Sequence, residues 1–197
     1  MNDMKEEKKQ PSEVLLFLGQ LVGLWPGARV ATLDIHRFDP GDLNDWSEDD
    51  LKLLIAEGQR QLDGQVAELE RVRARSQVLF TTNLAVGGLF AGVFVLAAKE
   101  QDIWSFVLLF LGIVLWLASS LVSLSVIVAR REIGRIDATL LSRQPKSVAN
   151  QLARSYARTV KTGADTCATV LTVFRDAAMV AFIASILLGV AWIVAIT

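Results

Sequence analysis

The chain has 197 residues, a length that would suit one ordinary domain. Its composition does not suit a water-soluble domain, because 52% of the residues are hydrophobic and the mean hydropathy is +0.41. The hydrophobic residues gather in three long blocks without a charge, which is typical of an integral membrane protein.

Charge is distributed unevenly along the chain. The formal net charge is -1, yet residues 1–70 contain 7 Lys or Arg against 15 Asp or Glu, whereas residues 71–176 contain 13 against 6. These two segments therefore carry net charges of -8 and +7. An acidic N-terminal segment thus precedes a basic one.

Residues 1–46 are predicted to form an acidic N-terminal region with one short amphipathic helix. The apolar run 14–25 ends at Pro26-Gly27 and has 12 residues, whereas a span needs about 20. Two interpretations of this helix remain open. Either it lies on the membrane surface or on a partner protein, or it packs back on the stalk of its own chain.

Residues 47–78 are predicted to form a cytoplasmic stalk helix. Ser47 is a good N-cap, and the three acidic residues that follow it place negative charge in the first helical turn. No proline follows until Pro145. We therefore expect one helix over 47–98, on the order of 78 Å long.

Three charge-free stretches are each long enough to cross a bilayer. A helix needs about 20 residues to cross a hydrocarbon core of about 30 Å. The stretches contain 20, 27 and 21 residues and cover 79–98, 103–129 and 177–197. Only a short polar loop separates the first two, so residues 79–129 are predicted to form an antiparallel transmembrane hairpin.

Basic residues at the ends of the spans predict the orientation in the membrane, because Lys and Arg are enriched on the cytoplasmic side. Arg75 and Arg130 flank the first two spans and Arg175 precedes the third, while the hairpin loop contains only Lys99. We expect the N-terminus inside, the C-terminus outside and most polar residues in the cytoplasm. The predicted location is the plasma or inner membrane.

Residues 130–176 are predicted to return through the cytoplasm as helices. The second span should continue to about residue 142, and a third helix should start at Ser147 and run unbroken into 177–197. An apolar stripe that includes Cys167 follows the stalk part of this helix and needs a partner. The helical extensions can pack together as a bundle with coiled-coil character.

Small residues in the spans favour close helix packing, and hence a homo-oligomer. They form a Gly-x-x-x-Gly motif in the first span and a stripe of four small residues in the third. These helix-packing candidates are Gly88, Gly92, Ala177, Ala181, Ser185 and Gly189.

One face of the second span carries small and polar residues. Its members are Ser105, Gly112, Ser119 and Ser123. In one interpretation, this face lines the pore of an oligomer. In the other, each hydroxyl is satisfied by a carbonyl of its own helix or by a neighbouring helix.

The sequence contains no recognisable catalytic motif. It lacks the glycine-rich, nucleophile-elbow and paired-cysteine motifs of common enzyme classes, and His36 and Cys167 are the only residues of their types. We interpret His36 as part of an acidic linker and Cys167 as a buried residue of the apolar stripe. We therefore expect no enzyme activity, no cofactor and no bound metal. The basic residues beside the spans are accounted for by the orientation of the chain in the membrane, so we do not expect nucleic-acid binding either.

In layout, the chain resembles the small membrane effectors of bacterial anti-phage systems. The resemblance covers about residues 47–141, where a long cytoplasmic helix enters a tight transmembrane hairpin and helices return to the cytoplasm. It implies a protein in which a sensed signal triggers disruption of the membrane. The third span departs from the simplest two-span version, and no nucleotide-sensing domain is visible.

Two classes of function are consistent with these features. In the first, the protein is an oligomeric channel or membrane-perturbing effector that is gated through its stalk. In the second, it is a non-conducting anchor or scaffold that recruits a cytoplasmic protein through residues 1–46. Three spans exceed what an anchor needs and favour the first class, whereas the acidic N-terminal region favours the second.

Overall fold

The computed structural model describes residues 13–22, 43, 46–97, 103–128 and 148–196. This part of the chain is helical and contains no strand. Its four helices are α1 (Glu13–Val22), α2 (Glu48–Ala97), α3 (Ile103–Val128) and α4 (Val148–Ile196). The all-helical prediction is therefore confirmed for the described residues.

The long helix α2 begins where its capping sequence predicts. The backbone N–H of Asp50 donates to Ser47 Oγ at 3.2 Å, which satisfies one of the unpaired donors of the first turn. From Glu48 the helix continues without a break for 50 residues, about 75 Å at 1.5 Å per residue. One helix thus includes both the polar stalk and the start of the apolar segment.

Helices α2 and α4 run parallel, and α3 runs antiparallel to both. At one end of the bundle, Leu51 of α2 shares a buried cluster with Ala153 of α4. Farther along, Val72 shares a second cluster with Val170. The apolar half of α4 packs against α3, where Leu188 contacts Gly112. Both long helices therefore lead from the stalk into the apolar segment in the same direction.

Two buried clusters hold the bundle together. The first lies at the free end of the stalk and joins Leu43 to Leu51 and Ala153. The second, which we call the junction cluster, lies where α3 joins α2 and α4. Its buried members are Leu69, Val72, Val122, Val126, Cys167, Val170, Val173 and Ala177. Cys167 is buried here, as its position on the apolar stripe predicts.

Helix α1 packs against α3 and α4 of its own chain. Leu16 is fully buried, and Phe17 packs against the junction cluster. This agrees with the second interpretation in that the helix packs on its own chain, while binding to the membrane surface or to a partner stays a prediction. Val14 and Leu18 remain exposed, so this helix also presents an apolar surface outward. The predicted helix end at Pro26-Gly27 lies outside the described residues, as does the continuation of α3 to residue 142.

Among the described residues, two helices are long and apolar enough to cross a membrane, rather than the three predicted. They contain the segments Phe106–Val128 and Val148–Val194. The predicted span 79–98 is not among them. Helix α2 continues to Ala97, but its described side chains end at residue 90, so fewer than the required 20 or so residues of that stretch are described.

Candidate functional site

A hydrogen-bonded cluster of polar groups joins the three long helices inside the apolar part of the bundle. Asn83 of α2 is buried, and its Nδ2 donates to Ser119 Oγ of α3 at 3.2 Å. The same hydroxyl donates to the backbone oxygen of Ala177 in α4 at 2.8 Å. Ser119 therefore accepts a hydrogen bond from one neighbouring helix and donates one to the other.

Trp116 extends this cluster by one turn of α3. Its Nε1 donates to the backbone oxygen of Asn83 at 2.8 Å. Its ring lies so close to Gly87 that a Cβ atom there would collide with Cζ2. Only glycine fits at this position while the ring keeps its place. We call Asn83, Gly87, Trp116, Ser119 and the Ala177 carbonyl the interhelical polar cluster.

The remaining buried serines of α3 bond to their own helix. Ser120 donates to Trp116 O at 2.9 Å, and Ser123 donates to Ser119 O at 2.9 Å. Such bonds to the preceding turn satisfy a hydroxyl without a partner helix. They match the second interpretation of the serine face.

The face predicted to line a pore lies largely inside the protomer. Ser119 and Ser123 are 0% and 1% exposed. Gly112 is buried, and a Cβ atom there would lie 2.9 Å from Leu188. The side chain of Ser105 lies outside the described residues. A pore-facing role of these four residues stays a prediction. For Gly112, Ser119 and Ser123 it would require a different arrangement of the helices.

The small residues predicted for helix packing divide into two groups. Ala177 and Ala181 are buried within the protomer. A Cβ atom at Gly88 or Gly189 would meet no atom within 4 Å, so these glycines face open space. Ser185 is exposed and donates to the carbonyl of Ala181 at 2.9 Å. The surroundings of Gly92 lie outside the described part, and oligomerisation stays a prediction.

The outer surface of the apolar segment carries large hydrophobic side chains. Phe110 of α3 is 62% exposed, and Phe182 of α4 is 68% exposed. Their exposed neighbours are Phe106, Val107, Leu111, Val114, Leu117, Leu121, Met179, Ile183, Ile186, Val190, Trp192 and Ile193. Exposed apolar side chains are thus frequent along both helices, and large contiguous apolar patches are rare on water-soluble monomers.

In the stalk, polar side chains of α2 reach across to α4. Gln59 Nε2 donates to the hydroxyl of Tyr156 at 2.9 Å, and Gln65 Nε2 donates to Val160 O at 3.0 Å. Gly163 gives Gln65 the room for this contact, because a Cβ atom there would collide with Gln65 Oε1. The two long helices are therefore tied together in the stalk as well as in the apolar segment.

Charged groups on the stalk surface pair within α2. Arg60 Nε lies 3.0 Å from Glu57 Oε2, and this contact lowers the pKa of the Glu57 carboxyl below its ordinary value. Lys52 pairs with Asp49 at 3.2 Å, which raises the pKa of the Lys52 ammonium. Such exposed pairs one turn apart contribute little to stability. They indicate a solvated surface rather than a reactive one.

No group of three or more His, Cys, Asp or Glu residues that could hold a metal ion occurs among the described residues. His36 lies outside them. The expectation that the protein is not an enzyme and binds no cofactor or nucleic acid stays a prediction.

Sequence reasoning missed Asn83 and Gly87, of which only Asn83 left a signal. Asn83 is the only side-chain amide in the stretch 79–98, and a buried amide in an apolar bundle needs a hydrogen-bond partner. Gly87 precedes Gly88, and the Gly-x-x-x-Gly spacing drew attention to the second glycine alone. The sequence could have marked Asn83, but not which glycine faces Trp116.

Comparisons of the chain with protein-family models, with curated proteins and with solved structures found no match. Function is therefore inferred from the residues of this chain and their arrangement.

Proposed function

We propose that the chain is a multi-pass membrane protein that acts as an oligomeric channel or membrane-perturbing effector, controlled through its cytoplasmic stalk. The observation that carries this proposal is the continuity of two parallel helices. Both α2 and α4 run unbroken from the stalk into the apolar segment. A displacement of one helix against the other in the stalk therefore reaches the apolar segment without an intervening loop.

Membrane insertion is supported by the exposed apolar surface of α3 and α4 and by the two helices that are long enough to span. We include the stretch 79–98 as a third span, because it is free of charge and α2 continues through it to Ala97. The Lys and Arg bias then places the N-terminus in the cytoplasm and the C-terminus outside. The parallel course of α2 and α4 agrees with both entering from the cytoplasmic side.

The interhelical polar cluster is the element that a stalk movement would disturb. In the described arrangement, Asn83 and Ser119 have their hydrogen bonds inside the protomer. Three packed helices enclose no lumen, so conduction requires several protomers and a rearrangement around this cluster. We interpret the described arrangement as the closed form.

The test is ion flux across liposomes that contain the purified full-length chain. Asn83→Leu removes the amide that links α2 to Ser119 and should raise basal flux several-fold. Thr82→Val is the matched control, because Thr82 is adjacent and exposed. Equal flux for Asn83→Leu and Thr82→Val, when both proteins are inserted in the liposomes, would contradict the proposal that Asn83 stabilises the closed form.

The second candidate is a non-conducting anchor or scaffold. It is favoured by the burial of Ser119 and Ser123, because the faces that α3 and α4 turn outward are then mainly apolar and offer no polar lining for a pore. Its partner would bind the acidic region 1–46. Deleting this region also removes buried Leu16 and Leu43, so replacing its aspartates between residues 34 and 45 by asparagine is the cleaner test. The anchor would be supported if no variant conducted ions and if a protein that co-purifies with the unaltered chain were lost from the asparagine variant.

A further inference from the structure

A groove between α2 and α4 lies where the stalk meets the apolar segment. Its volume is about 550 Å³, within the range of roughly 300–1,000 Å³ that is usual for ligand pockets. Arg75 and Arg175 line one part of it, and Met179, Phe182 and Ile183 line the part farther along α4. One groove thus combines two guanidinium groups with an apolar trough.

The two parts of the groove follow the direction of the helices. Arg175 lies two residues before the charge-free stretch 177–197, and Arg75 lies four residues before the stretch 79–98. Apolar residues line the groove on both sides of this boundary, with Val72, Leu171 and Phe174 toward the stalk. On the other side the apolar lining extends toward the C-terminal end of α4, where Phe182 is 68% exposed. The groove is therefore basic at the predicted headgroup level and apolar at the level of the acyl chains.

Charge in the basic part favours an anion. Arg175 lies 3.2 Å from the carboxylate of Asp176, so Asp176 compensates part of the positive charge. Arg75 is exposed on the opposite wall and adds a second guanidinium. Both guanidinium groups line the groove, and arginine is well suited to bind a phosphate through two hydrogen bonds.

We propose that this groove binds one anionic phospholipid, with its phosphate at Arg75 and Arg175 and an acyl chain along Met179, Phe182 and Ile183. The inference rests on the membrane insertion proposed above. It adds a specific site for a lipid class, because a zwitterionic headgroup gains less from the two guanidinium groups. The lipid would bridge α2 and α4 at the junction that couples the stalk to the spans.

The experiment is native mass spectrometry of the full-length chain in detergent, with phosphatidylglycerol or phosphatidylcholine added at equal concentration. We expect one phosphatidylglycerol to be retained in preference to phosphatidylcholine. Arg75→Gln combined with Arg175→Gln should weaken its binding about 25-fold, or about five-fold for each arginine near an anionic headgroup. Ala178→Trp should also weaken binding, because it fills the groove and leaves both arginines in place.

The matched control is Arg71→Gln combined with Arg158→Gln. Both residues are exposed, they lie on the same two helices, and neither lines the groove. This control should change lipid affinity less than about two-fold. An equal loss in the control, equal retention of the two lipids, or displacement of the lipid by soluble glycerol phosphate would each overturn the lipid site.

Flotation with liposomes separates this inference from the proposed function. If the protein floats with the liposomes and retains no lipid selectively, the lipid site is wrong and membrane insertion stands. If the protein does not float, both proposals fail. Thermal unfolding of each variant identifies any loss of binding that is caused by misfolding.

Discussion

The ring of Trp116 occupies the space beside Gly87 that any larger residue would need. A Cβ atom at Gly87 would collide with the ring, whereas one at Gly88 would meet nothing within 4 Å. Two adjacent glycines of one helix thus have opposite surroundings. Gly87 accommodates α3, and Gly88 faces outward.

We expect Gly87→Ala to lower the thermal unfolding temperature of the protein in detergent. Overpacking of this kind costs about 1–3 kcal/mol and displaces Trp116 from its hydrogen bond to Asn83 O. Gly88→Ala is the control and should be neutral or slightly stabilising, because alanine favours helix by about 1 kcal/mol. Equal unfolding temperatures for the two variants would show that Trp116 does not pack there.

The serines of α3 permit a test of the interhelical polar cluster itself. Ser119→Ala removes hydrogen bonds to two other helices and should cost about 0.6–2 kcal/mol, the usual range for interhelical bonds in membranes. Ser123→Ala removes only a bond within α3 and should change stability much less. Both side chains are buried, so the comparison isolates the partner helix. Reversible unfolding in detergent measures the difference, and an equal loss would remove the special role of Ser119.

In the stalk, Gly163→Ala should weaken the packing of α4 on α2. The added methyl group would displace the Gln65 side chain and with it the hydrogen bond to Val160 O, at a cost of about 1 kcal/mol. Gly64→Ala is the control, because a Cβ atom there meets nothing within 4 Å. Hydrogen exchange of stalk amides should become faster in Gly163→Ala and not in Gly64→Ala. The reverse order would contradict the contact.

Much of the helical layout could be predicted from the sequence. The N-cap at Ser47 predicts the start of α2 within a residue of the observed Glu48, because capping effects are local. The predicted start of the third helix at Ser147 lies outside the described residues. The inward direction of Ser119 could not be predicted. Its hydroxyl can bond to its own helix, to a neighbour or to a pore, and only tertiary packing selects among these.

The small-residue stripe of the third predicted span illustrates the same limit. Of its four small residues, Ala177 and Ala181 are buried within the protomer, whereas Ser185 is exposed. Gly189 faces open space. Spacing indicates that a face can approach another helix closely, but not whether that helix belongs to the same chain.

Gly189 therefore offers a test of oligomerisation that leaves the protomer intact. Gly189→Leu should weaken assembly in detergent or nanodiscs, because it places a large side chain on an open glycine face. Native mass spectrometry gives the oligomeric state, and thermal unfolding should show a folded protomer. A purely monomeric unaltered protein would contradict the predicted assembly.

Ion flux across liposomes tests the coupling between the stalk and the membrane segment most directly when only the stalk is changed. Gln65→Ala removes the hydrogen bond to Val160 O of α4, whereas Gln61→Ala removes a contact with Glu57 on its own helix. We predict that Gln65→Ala, like Asn83→Leu, raises ion flux, and that Gln61→Ala leaves flux at the level of the unaltered protein. Flux that responds to Asn83→Leu but not to Gln65→Ala would contradict the coupling, and absence of flux in all variants would contradict the effector itself.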